Sequence, residues 1–216
     1  MKKLTGLLVI AVFLMLPLYA NAYIIGTVNL TEFPSGPTGW ASFPSQSGTY
    51  YLDYDVSLNG GPSQEAFCVE DALGPYPNTR PYTLLSIDQG LAAFGLDPSR
   101  YLAAAWIAET YFTQLSNEAT KAAAQIAVWE VIFDWGALDL TSGSFRASNY
   151  YTAAADTILG SLPGTYGPST GWLLAHNDQY QDYLVPNPVP EPATMLLLGF
   201  GLIGLAGFGR NKLFKK

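Results

Sequence analysis

Residues 49–72 read TYYLDYDVSLNGGPSQEAFCVEDA. Tyr50, Leu52, Tyr54, Val56 and Leu58 alternate with Tyr51, Asp53, Asp55 and Ser57, the period of a strand with one face in a core. Asn59-Gly60-Gly61-Pro62 turns the chain. From Ala66 the alternation resumes, with Ala66, Cys68 and Glu70 on one side and Phe67, Val69 and Asp71 on the other. A strand–turn–strand unit is expected, and the second strand carries the only cysteine in the chain.

Working outward, YIIGTVNLTEF (residues 23–33) reads as an earlier strand that gives way to a loop rich in Pro, Ser and Gly. The second half is helical in pattern. Asp97 and Pro98 form an N-cap and first-turn proline, after which Ala104, Ile107, Ala108, Tyr111, Phe112 and Leu115 recur at helical spacing. A second helix is predicted over 117–135 with Gly136 as its stop, and a third over 147–159. GWLLAHNDQYQDYLV (residues 171–185) closes with one or two short strands. Strands, then helices, then strands define an α+β class, an antiparallel, barrel-like β part with an inserted helical part.

Both ends read as export machinery. MKKLTGLLVIAVFLMLPLYANA has two lysines, an apolar run from Leu7 to Leu18 and an Ala20-Asn21-Ala22 cleavage site, so 1–22 is a signal peptide and the mature chain starts at Tyr23. Residues 23–183 form one domain, and 184–192 a Pro-rich spacer ending in Pro190-Glu191-Pro192. An apolar run of 17 residues, 193–209, is at the lower limit for a transmembrane helix. A basic tail, 210–216, begins at Arg210 and holds the C-terminus in the cytoplasm. VPEPATMLLLGFGLIGLAGFGR resembles the PEP-CTERM sorting signal of Gram-negative bacteria. The resemblance implies processing by an exosortase-type enzyme near Pro190–Pro192 and a setting linked to the cell surface, extracellular polysaccharide and biofilm.

The exported domain has four basic residues (Arg80, Arg100, Lys121, Arg146) against 16 acidic ones, a charge near −12. Nucleic acid and anionic lipid are poor partners for such a surface.

On the second helix, Ala122, Ile126, Val128, Trp129, Ile132 and Phe133 share one arc, with Ala127, Glu130 and Asp134 opposite. Gln125 lies near the centre of the apolar arc, where an unpartnered amide costs about 1–3 kcal/mol. By residue chemistry alone, Gln125 fixes packing through hydrogen bonds to backbone and Cys68 is a small buried hydrophobe.

The pair together carries a second resemblance. Phe67-Cys68-Val69 on a strand and Gln125-Ile126-Ala127-Val128-Trp129 on a helix resemble the Cys–Gln thioester domains of bacterial surface adhesins. The match implies an internal thioester between Cys68 and Gln125, flanked by Phe67, Val69, Ala127, Val128 and Trp129. Such a bond captures an amine on a surface protein or amino sugar covalently, in a single-use reaction without enzymatic turnover, cofactor or metal. Many members carry Thr before the Gln, where this chain has Ala124. Glu65, Glu70 and Glu130 are the carboxylates nearest in sequence, and none is singled out as a base for the thiol.

Two other readings stand beside it. Aromatic content of 14%, with 14 tyrosines, suits a noncovalent matrix- or polysaccharide-binding protein. A hydrolase has little support, since the chain has no H-E-x-x-H or G-x-S-x-G, and its one histidine, His176, has no evident nucleophile or metal partner and suits a surface or turn position. Asp53 and Asp55 match no calcium-loop spacing.

Overall fold

The computed structural model describes residues 24–71, 79–111 and 117–187. The expected signal peptide, Tyr23, the residues from Pro190 to Pro192, the apolar run 193–209, the tail from Arg210, and Phe112 and Leu115 lie outside the described residues. Strands are β1 (Ile24–Ser42), β2 (Ser47–Leu58), β3 (Ser63–Cys68), β4 (Thr79–Ser86), β5 (Arg146–Ala147), β6 (Trp172–His176) and β7 (Tyr183–Pro186). Helices are α1 (Pro98–Tyr111), α2 (Glu118–Phe133) and α3 (Thr152–Leu159), preceded by a 3-10 turn over Gln89–Phe94. The last strand runs three residues past the boundary expected at 183.

All pairings are antiparallel, in the order β2-β3-β7-β6-β4-β1-β5, and β1 also pairs with β2. The ladder therefore runs in a closed circuit, which leaves few free strand edges. The length of β1 makes this possible: its first half lies along β4, its second along β2, and Leu30 and Thr31 pair with both. The Pro-Ser-Gly stretch expected as a loop is instead strand. Gly36 takes φ 70° and the register slips between Ser35 and Thr38, a bulge that bends the strand without ending it.

The hairpin forms where the alternation put it. Asn59 and Gly60 both have positive φ, 52° and 72°, which a tight turn between twisted strands requires. Leu52, Tyr54 and Val56 are buried on the expected face. The alternation puts Asp53 on the opposite face, yet it too is buried, at the place where Lys121 of α2 meets it. Its carboxylate faces Lys121 Nζ at 3.4 Å, and Lys121 reaches Glu65 at 2.6 Å. One ammonium thus serves two carboxyls on adjacent strands, and burial together with the neighbouring Asp53 pushes the Glu65 pKa up to about 8 against the pull of Lys121.

Asp97 caps α1 by accepting from the Ser99 N–H at 3.0 Å, and Asn117 caps α2 by accepting from the Ala119 N–H at 2.9 Å. Helix α2 ends at Phe133, short of 135, with Gly136 in the following turn at φ 111°. The predicted third helix begins only at Thr152, because Arg146 and Ala147 pair with β1 instead. The largest departure concerns the faces of α2. Every residue from Ala122 to Ile132 is buried, Ala127 and Glu130 included, because α1, α3 and the strands enclose the helix.

Asp134, just past α2, accepts from the Ser144 and Phe145 N–H groups at 2.9 and 2.6 Å. Gly143, at φ 93°, lies against that carboxylate, which a Cβ would strike. Gly143→Ala should therefore cost about 2 kcal/mol or more in urea unfolding, whereas Gly164→Ala, with open space around it, should stay within about 0.5 kcal/mol.

Candidate functional site

The circuit of strands brings Cys68 and Gln125, 57 positions apart, into direct contact. The β2–β3 ladder stops with Tyr54 opposite Ala66. In a strand, alternate residues direct both their N–H and C=O to the same side, so Cys68, two residues on, still faces the β2 side without a strand partner there. The Gln125 carboxamide fills that place. Its Oε1 accepts from the Cys68 N–H at 3.0 Å, and its Nε2–H donates to the Cys68 carbonyl at 2.8 Å. On the other side β3 pairs with β7, Cys68 lying opposite Tyr183. Both site residues are buried, Cys68 at 0% and Gln125 at 1% exposure.

The sulfur is also fixed. Cys68 Sγ donates to the Glu70 carbonyl at 3.1 Å and receives the Gln181 Nε2–H at 3.4 Å. Burial pushes the thiol's pKa up; the main-chain N–H of Glu70 and the indole N–H of Trp129, as donors toward the sulfur, act in the opposite direction. That indole N–H is itself buried without a hydrogen-bond acceptor of good geometry. Two carboxyl groups, Glu70 and Glu32, disfavour the thiolate electrostatically. Burial holds both of these carboxyls near pKa 7; Asp182 adds to the rise at Glu70, and Arg80 opposes it at Glu32.

The motif neighbours form the surrounding wall. Phe67, Val69, Ala127, Val128 and Trp129 are all buried. Trp129 meets Phe43 edge-on with ring centroids 5.0 Å apart, and Phe67 packs on Trp172 at 5.5 Å. Of the three carboxylates weighed for the thiol, Glu65 is engaged by Lys121, and Glu130 sits among Asp134, Asp139 and Asp156. Glu70 is the one whose charge reaches the sulfur.

Three residues at this centre carried no signal in the sequence. Tyr183 donates its hydroxyl to Gln181 Oε1 at 3.0 Å and is hydrogen-bonded to Glu32. Glu32, Gln181 and Tyr183 come from opposite ends of the domain and meet only because β1 and β7 belong to one circuit.

His176 stands apart. Its Nδ1 lies 2.7 Å from the buried Asp182 carboxylate, which raises its pKa, and Nε2 is 3.2 Å from Asp178. Asp53 turns toward Lys121, and among the described residues no group of three or more His, Cys, Asp or Glu side chains is arranged to hold a metal ion. Nor is any helix among them long and apolar enough to cross a membrane.

Residues 188–211 match the PEP-CTERM protein-sorting motif. That motif marks an exported protein sorted by exosortase, one that passes through the membrane to the cell surface. Comparison with curated proteins and with solved structures finds no match.

Proposed function

We propose that this chain is a surface or biofilm-matrix protein of a Gram-negative bacterium whose Cys68 and Gln125 join in an internal thioester. The bond would capture an amine, on a surface protein or an amino sugar, as a covalent tether; extracellular polysaccharide is the surrounding matrix. The observation that carries this reading is the interlocked pair: the lone thiol belongs to the residue whose N–H and C=O clamp the Gln125 carboxamide.

The chemistry follows from that clamp. The Cys68 N–H polarises the Gln125 carbonyl, as a fixed donor does for a developing oxyanion. Sγ attacks Cδ, the Cδ–Nε2 bond breaks, and the thiol proton leaves on nitrogen as ammonia. Holding the two groups together replaces an encounter that solution chemistry makes rare. An incoming amine then attacks Cδ, the C–S bond breaks, and the amine's proton returns to sulfur. The products are an amide and a free thiol, so the protein acts once and is not an enzyme. The apolar wall slows hydrolysis by keeping water out.

The test is the intact mass of the exported protein beside Cys68→Ala. A deficit of one ammonia is expected in the first and not in the second, with methylamine adding one adduct at Gln125. One observation favours a different reading: the intact carboxamide already has both polar atoms paired with backbone, so it serves as a packing staple without further chemistry. The protein is then a noncovalent matrix or polysaccharide binder, and both masses are those of the unreacted chain.

A further inference from the structure

Within the closed circuit of strands, paired residues share a face. Cys68 lies opposite Tyr183 and Glu32 opposite Val56, and the Tyr183–Glu32 hydrogen bond puts all three groups on the inner side. Gln181 lies just before β7 and spans from this tyrosine to the sulfur. Its Oε1 accepts from Tyr183 at 3.0 Å, its Nε2–H reaches Sγ at 3.4 Å, and its main-chain carbonyl accepts from the Tyr82 hydroxyl at 3.0 Å. Gln181, Tyr183 and Glu32 are all buried, at 3%, 0% and 4% exposure. A buried amide held by tyrosines at its side-chain and main-chain oxygens has its N–H direction fixed, and that direction is the sulfur.

We infer that Gln181 stabilises the sulfur of Cys68 whenever the C–S bond is made or broken, and that Tyr183 is the positioning residue that aims it. The inference rests on the thioester reading. When an amine opens the bond, the C–S electron pair leaves on sulfur, which stays negative until the amine's proton arrives. In an apolar interior that charge is costly. An N–H already pointed at it lowers the barrier without reorganisation, and the Trp129 indole N–H, buried without another acceptor, faces the same need.

The experiment compares methylamine addition, followed by intact mass, in the unsubstituted protein, Gln181→Met, Gln181→Glu and Tyr183→Phe. Gln181→Met keeps the side-chain volume and loses the donor, and should slow adduct formation by about tenfold or more. Tyr183→Phe leaves the amide in place but unaimed and should slow it by about threefold. Gln181→Glu supplies the distinguishing readout. Its carboxylate repels the leaving sulfur, whereas its protonated form donates again, so its rate should recover as pH falls. Taking the ratio to the unsubstituted protein at each pH cancels the titration of methylamine.

A Gln181→Met rate within about twofold of the unsubstituted protein, with the ammonia deficit retained, overturns the role of Gln181 and leaves the proposed function standing. If Gln181→Met does not fold, a Gln181→Glu ratio that is flat with pH overturns it equally. Absence of the ammonia deficit in the unsubstituted protein removes the thioester and this inference together.

Discussion

In the unreacted domain, with the carboxamide intact, Gln125→Ala is expected to destabilise the fold by about 3–5 kcal/mol in urea unfolding, and in the exported protein to abolish any methylamine adduct. The amide does more than fill space. Among the described residues it alone pairs with the Cys68 N–H and carbonyl on the side where β2 has ended, and Cys68 is buried. Each orphaned group costs about 1–3 kcal/mol, and the lost side chain leaves a cavity between α2 and β3 in addition. Gln125→Glu separates the two roles of this residue. It keeps the volume and the acceptor for the Cys68 N–H, but its ionised form sets an oxygen against the Cys68 carbonyl. The protonated form restores that contact, so this variant should gain stability as pH falls. Its acyl carbon has no ammonia to expel, so its mass should show no ammonia deficit at any pH. A Gln125→Ala protein as stable as its parent would mean that water or another group serves the end of β3.

How much of this was legible before the fold was known depended on the range of each interaction. The hairpin of β2 and β3 was visible because period-two alternation and Asn59-Gly60 are local signals. The Asp97 cap lies two residues from the N–H group it satisfies. The Cys68–Gln125 contact was anticipated through the resemblance of two short motifs; neither strand nor helix periodicity alone brings them together. The continuation of β1 through Pro34 to Thr38 was hidden, because one left-handed glycine and a partner strand override the composition of a loop. The pairing of Asp53 with Lys121 was hidden for a different reason: the ion partner is 68 positions away, on a helix whose place against the strand no local pattern gives. Projection of α2 onto a wheel assumes one wet side, and this helix has none. Gln181, Tyr183 and Glu32 are ordinary residues in ordinary local settings, and only the closure of the strand circuit gives them a shared task.

Glu130→Gln is expected to make the domain more stable at pH 8 and to flatten much of its pH dependence. Glu130 is fully buried on α2, and neither of its carboxyl oxygens has a hydrogen-bond partner of good geometry. Burial, reinforced by the charges of Asp134, Asp139 and Asp156, raises its pKa to about 8, with only the Asp139 backbone N–H acting against it. The folded protein therefore holds this proton through the range where the unfolded chain, with a pKa of about 4.3, has released it. Stability falls with pH wherever the folded state binds more protons. The contribution is complete below about pH 4.3 and is lost progressively up to the folded value of about 8. Glu32 and Glu70, both held near 7, act in the same direction, their contribution being lost between about pH 4.3 and 7. The unsubstituted domain should accordingly lose about 3 kcal/mol or more of unfolding free energy between pH 5 and pH 8, the reverse of ordinary acid denaturation. Glutamine at 130 mimics the neutral acid in size and has no proton to lose, so the two proteins should be nearly equal at about pH 4 and diverge progressively from there up to about pH 8. Urea unfolding at four or five pH values measures both slopes. Parallel curves would show that Glu130 keeps its charge inside the fold and that the pH dependence belongs to the other raised carboxyls, Glu65 beside Lys121 and Glu32 and Glu70 near the Cys68 sulfur.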